Sequence, residues 1–272
     1  MRAQKRSTSS AATAKPYLRK KHHKRPEVMW DWLDVLLIAI TLVIAYFVSS
    51  NIINSTLARL LPGSGTAILK LALVLVFYVI EILVVAYIAH RHNHRFAILY
   101  RLKALRDDDE PMSGRFAEIA TSVGLVLALL LLTRGFGMLW GYLSELLGWM
   151  PSSTSDLLTM FGTTPLSMAL AVLCVVVLAP FIEEIIFRGV FLSTLETSMA
   201  PAVAVIATAL IFAVYHASAW AFLPHLVLGL ALGYLAVTRR TLWPAIALHA
   251  LYNAVLMAAA FYATLVTTSP LG

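Results

Sequence analysis

The chain has 272 residues, 60% of them hydrophobic and 13% charged, with a mean hydropathy of +0.82. A soluble domain is about half apolar and roughly one-quarter charged, whereas the 116 residues after Asp156 hold only Glu183, Glu184, Arg188, Glu196, Arg239 and Arg240 as charged groups, so lipid is a better solvent for them than water. The net charge of +7 comes from basic segments that flank apolar runs, a pattern that sets membrane orientation and not one that marks a nucleic-acid-binding face.

In chain order, the first 26 residues carry nine Lys/Arg and no acidic residue, with Ser, Thr and Ala between them. They read as a disordered basic tail lying against an anionic cytoplasmic leaflet. The apolar run that follows lacks a clear small-residue cleavage site, so an uncleaved first span is expected. A span needs about 20 mostly apolar residues, and seven candidates follow: about 32–50, 67–89, 116–140, 166–195, 201–218, 221–238 and 242–264. Residues 150–162 suggest a loop or a short interfacial helix, with room for an eighth embedded segment. The expected fold class is therefore all-α, a polytopic membrane bundle of about seven to eight transmembrane helices. The segment 90–115 holds six Lys/Arg and Arg239–Arg240 follow the sixth span, against one Lys/Arg in 51–66 and none in 141–165. Seven spans place every basic segment on one side, which puts the N-terminus in the cytoplasm and makes the chain an integral protein of the plasma (inner) membrane. Lone Cys174 allows no intrachain disulfide.

Ionisable groups inside such spans are costly, roughly 2.5–3.5 kcal/mol each on insertion scales. Glu184 and Arg188 are four residues apart, on one helix face, where they can pair. Glu183 is rotated about 100° from Glu184 and must face something else. His249 and Asn253 share the same i,i+4 spacing in the seventh span, and His216 lies late in the fifth. His225 follows Pro224 near an interface with no polar partner at helical spacing, and His90, His92 and His94 read as a solvated cytoplasmic face. Taken singly, each buried histidine can simply bond a neighbouring helix. Two carboxylates, an arginine, two histidines and an asparagine on three apolar spans together point to a shared polar pocket. A carboxylate beside an imidazole can take a proton from water and return it to a leaving amine. Two imidazoles with a carboxylate also suit a divalent metal, zinc above all, and an asparagine or a protonated histidine can stabilise an oxyanion.

Glu183-Glu184-Ile185-Ile186-Phe187-Arg188 fits E-E-x-x-x-R, Phe212 to His216 fits F-x-x-x-H, and His249 to Asn253 fits H-x-x-x-N/D. In this order the three motifs resemble the CPBP family of intramembrane proteases, which includes the type II CAAX prenyl endopeptidases and the Abi bacteriocin-processing or immunity proteins. The resemblance spans roughly residues 160–260. It implies a bundle of about eight membrane helices whose site opens toward the cytoplasm and into lipid. It also implies that Glu183 and His216 activate the attacking water, that His249 and Asn253 hold a metal or the oxyanion, and that Glu184 and Arg188 support the first motif. A zinc or other divalent metal on Glu183, His216 and His249 is one form of this expectation, and water activation by the Glu/His pair alone is the other. The division expected is a tail over 1–30, N-terminal membrane helices over 31–150 and a CPBP-like catalytic core over 151–272. The partners are membrane lipids and a peptide or protein substrate, lipidated in the CAAX case, with no nucleic acid. Two other functions compete: a non-catalytic partner-binding or bacteriocin-immunity protein, and a proton-coupled transporter. The transporter lacks support from any internal repeat. One mismatch is also expected: in straight helices Glu183, His216 and His249 would lie at different depths.

Overall fold

The computed structural model describes residues 30–51, 64–91, 112–149 and 164–268. The basic tail and the loop expected at 150–162 lie outside the described residues. The described residues form seven helices, and no strand occurs among them: α1 (Trp32–Asn51), α2 (Ser64–Arg91), α3 (Met112–Leu146), α4 (Pro165–Ser198), α5 (Pro201–Tyr215), α6 (Phe222–Arg239) and α7 (Trp243–Thr268). Each of the seven apolar segments in the sequence is one helix. Five of them, α2, α3, α4, α6 and α7, are long and apolar enough to cross a membrane; the described apolar parts of α1 and α5 are shorter, Trp32–Ala45 and Pro201–Tyr215. The fifth segment thus stops three residues short of the expected 218.

Outward-facing side chains on α3 such as Leu127, Leu131 and Leu132 are exposed and apolar, as expected where the surroundings are hydrocarbon. Inward, Ile185 to Leu195 of α4 are buried without a break, so α4 is the axis around which α5, α6 and α7 pack.

Helix α4 is not regular. Two π-helical stretches, Leu173–Leu178 and Ile185–Phe191, flank a six-residue α-helical piece, Ala179–Glu184. Pro180 stands near the start of that piece. A proline inside a helix has no N–H to donate and crowds the carbonyl one turn back; a widened turn just before it relieves that clash. The consequence is local. Glu183 and Glu184 are displayed from a short α segment whose rotation is reset on both sides.

Helices α5 and α6 form the tightest pair, because α6 carries Gly229 and Gly233 one turn apart. A Cβ on Gly229 would sit 3.0 Å from the Ala209 Cα, and one on Gly233 would sit 2.9 Å from Val205 Cγ1. This is the small-residue spacing that lets membrane helices approach backbone to backbone. A second tie runs from the N-terminal helices. Arg134 of α3 lies over the Tyr252 ring of α7, 5.0 Å from its centroid, and the Trp140 indole N–H donates to the Trp220 carbonyl at 2.8 Å, in the turn between α5 and α6.

Candidate active site

Glu184 is fully buried and its Oε1 accepts two hydrogen bonds, from Arg188 Nη1 at 2.7 Å and from His249 Nδ1 at 2.9 Å. The i,i+4 pair read from the sequence is therefore present, and the same carboxylate also orients an imidazole 65 residues away. Arg188, equally buried, donates from Nη2 to the Gly229 carbonyl at 3.1 Å, and its guanidinium carbon lies 4.6 Å from the Phe212 ring centroid. The close approach at Gly229 thus also brings a backbone acceptor within reach of Arg188. The charge is held by a carboxylate, a carbonyl and an aromatic face, the kinds of partner a buried guanidinium requires.

Glu183 points elsewhere, as its rotation about the helix axis requires. Its Oε2 is 4.0 Å from His216 Nε2 and 3.9 Å from His249 Nε2, and it has no hydrogen-bond partner within the protein. These separations are too long for direct hydrogen bonds. They leave room for one water about 2.8 Å from each atom of a pair. Glu183 is thus a buried acceptor, 7% exposed, aimed into a gap between two imidazoles.

The other nitrogen of each imidazole is already used. His216 Nδ1 lies 2.8 Å from the Phe212 carbonyl, which can only accept, so Nδ1 carries the hydrogen and a neutral His216 turns a bare Nε2 to Glu183. His249 Nδ1 donates to Glu184 and likewise presents Nε2. Phe212 stands among the imidazoles: its ring centroid is 4.6 Å from that of His216 and 5.6 Å from that of His249. The phenylalanine of the second motif is the surface against which these side chains and Arg188 are set. Asn253, one turn beyond His249, donates from Nδ2 to the Val175 carbonyl at 2.9 Å, inside the first π stretch. An amide nitrogen has a second hydrogen, so this bond ties α7 to α4 and leaves one N–H for other work.

The depth mismatch expected for straight helices is absent. Helix α5 ends at Tyr215, so His216 caps it, and Glu183 on the irregular α4 lies 4.0 Å from His216 and 3.9 Å from His249.

The spacing also bears on the expected metal. Zinc bound tetrahedrally at about 2.0–2.1 Å from nitrogen and oxygen needs ligand atoms roughly 3.3 Å apart. The Glu183–His216 and Glu183–His249 distances exceed this, and among the described residues no group of three or more His, Cys, Asp or Glu is placed to hold a metal ion. A bridging water suits these distances better than a shared cation.

Two features escaped the sequence reading. His225, which has no polar partner at helical spacing, lies face to face with His216, ring centroids 3.8 Å apart and planes 23° from parallel. Glu81 of α2 is 4% exposed, its Oε2 has no protein partner, and it lines a narrow void with Ile38, Thr41, Leu42, Val84 and Ile186, the last being three residues from Glu183. An isolated carboxylate in an apolar span is a legible signal; the stacking of two histidines nine residues apart is not.

Residues 165–255, 91 of the 272, match the family model described as Rce1-like, type II CAAX prenyl endopeptidase Rce1-like. No curated protein and no solved structure matches the chain. The match contains Glu183, Glu184, Arg188, His216, His249 and Asn253. Over this stretch, from α4 into α7, the chain is similar to that family model, in agreement with the resemblance carried by its three motifs.

Proposed function

We propose that the chain is an intramembrane endopeptidase that hydrolyses a peptide bond of a membrane-associated peptide or protein, in the manner of CAAX or bacteriocin processing. The observation that carries this reading is the unpartnered Oε2 of Glu183, buried and held 3.9 and 4.0 Å from two imidazole nitrogens.

A water in that gap donates one hydrogen to Glu183 Oε2 and the other to the bare Nε2 of His216, which aims an oxygen lone pair at the substrate carbonyl carbon. As the new C–O bond forms, Glu183 takes the proton. The carbonyl oxygen gains negative charge and is met by His249 and by the remaining N–H of Asn253. His249 meets the oxyanion in its doubly protonated form, in which Nδ1–H stays on the Glu184 carboxylate and Nε2–H is the donor. Collapse of the tetrahedral intermediate breaks the C–N bond, and the proton on Glu183 passes to the leaving amine. Glu184 and Arg188 touch no reacting atom and hold His249 and α4 in place. The distribution of basic residues supports a cytoplasmic N-terminus, and the same proposal places the helices in the plasma (inner) membrane.

The purified protein in detergent, given a peptide ending in an S-farnesyl cysteine followed by three residues, is expected to release the C-terminal tripeptide, identified by mass spectrometry. Intact peptide after prolonged incubation, both with and without the farnesyl group and for a panel of unrelated membrane peptides, would remove the proposal.

A further inference from the structure

His216 is more open than Glu183 or His249. Its side chain is 23% exposed against 3% for His249, and it caps α5 instead of lying within it. One hydrogen bond, Nδ1–H to Phe212, fixes its ring on one edge. Phe212 and Tyr215 meet the ring edge-on, at centroid distances of 4.6 and 5.6 Å. The broad contact comes from His225, stacked at 3.8 Å. His225 is fixed in the same manner as its neighbour, with Nδ1 2.8 Å from the Ala221 carbonyl, so its ring plane is set by helix α6. Phe212 lies 6.2 Å from it as well.

The turn between the two histidines is built to bring them together. Ala217, directly after His216, has φ of +48°, a left-handed conformation that is unfavourable for a residue with a Cβ. The Ser218 hydroxyl accepts from the Ala221 N–H at 3.2 Å, and Trp140 of α3 holds the Trp220 carbonyl. Strain of this kind persists where the surroundings over-determine it. Here it reverses the chain so that the first turn of α6 lies over His216, the residue that caps α5.

We infer that His225 is a positioning residue for His216: its ring, stacked on the imidazole, holds His216 Nε2 toward Glu183 and so sets the geometry of the attacking water. The inference rests on the hydrolytic reading for its kinetic consequence, but the stack itself can be observed without turnover. A flat ring at position 225 is what the role requires, and the nitrogens of His225 are not.

Two variants separate these requirements. His225→Leu keeps volume without a planar face, and His225→Phe keeps the face without the nitrogens. Misplacing a reacting group by about 1 Å costs on the order of 100-fold, so His225→Leu is expected to lower kcat about 10- to 100-fold. KM for the farnesylated peptide should move less than about twofold, the signature of an interaction lost only in the transition state. His225→Phe should recover most of the rate. Independently, the ring nitrogens of His216 in ¹⁵N-histidine-labelled protein should report a single Nδ1–H tautomer in the parent and in His225→Phe, and exchange-broadened or mixed signals in His225→Leu. If the parent cleaves no peptide, the hydrolytic reading fails while the nitrogen signals still test the stack. Parent-like kcat and parent-like His216 signals in His225→Leu would overturn the inference. So would equal impairment of both variants, since it would assign the effect to a nitrogen of His225.

Discussion

Adjacent carboxylates at Glu183 and Glu184 have opposite energetic situations, and this separates their expected phenotypes. Glu184 answers a buried Arg188 and a buried His249, so Glu184→Gln leaves the guanidinium with a neutral partner in a low-dielectric interior. Breaking a buried pair in this way costs about 3–5 kcal/mol, and the variant is expected to melt well below the parent in detergent, followed by tryptophan fluorescence. Glu183 has an oxygen with no protein partner, so Glu183→Gln removes a costly charge and breaks no bond within the protein. Its melting temperature should equal or exceed that of the parent. Equal losses of stability in both variants would show that the two carboxylates do not have the separate roles their hydrogen bonds describe. The sequence foretold this division from rotation alone, because residues one apart differ by about 100° on a helix. It did not reveal that Glu184 also reaches His249, since nothing local couples residues 184 and 249.

At the scale of helices, the site depends on features that break regularity. The π stretches of α4, the left-handed Ala217 and the glycines of α6 are each unfavourable or weakly favourable alone, and together they bring three helices to one point. Gly229→Ala places a methyl group 3.0 Å from the Ala209 Cα, a contact that backbone atoms can relieve only by separating α5 from α6. The variant is expected to melt several degrees below the parent and to lose activity, because the Gly229 carbonyl that accepts from Arg188 moves with α6. Parent-like stability would mean that the two helices are not held at this distance. Ala217→Gly acts in the other direction. Glycine adopts positive φ without steric cost, so stability should hold or rise, while a looser turn between His216 and His225 lowers turnover; a melting temperature below the parent's would contradict strain at that residue. Segment boundaries were legible to within about six residues because hydropathy reports them directly. The irregular turns were not, because Pro180 announces a disturbance without saying how the chain absorbs it. The stack of His225 on His216 was not legible for a related reason: helical spacing can find partners on one helix, whereas this partner lies across a reversal of the chain.

For the molecule as a whole, the basic segments imply a cytoplasmic N-terminus. Cys174 is the only cysteine and is buried, which makes the orientation simple to test. In a Cys174→Ala background, Ser10→Cys is expected to react with a membrane-impermeant maleimide only after the membrane is opened. Labelling in intact cells would invert the topology. The family match starts at Pro165, yet α2 and α3 reach the site region through Glu81 beside Ile186 and Trp140 on the turn at Trp220. The first half of the chain thus supports the polar centre as well as adding spans, a relationship that no motif in that half discloses.

The central claim is that Glu183, between two imidazoles, takes the proton from the attacking water. Its most direct measurement is the rate of peptide cleavage by Glu183→Gln and by His216→Ala beside the parent, with all three shown to be folded by their melting temperatures. General-base catalysis contributes about 10²–10⁴-fold. The expected result is a loss of at least that order in Glu183→Gln at undiminished stability, with His216→Ala also impaired. Equal cleavage by all three folded proteins would contradict it.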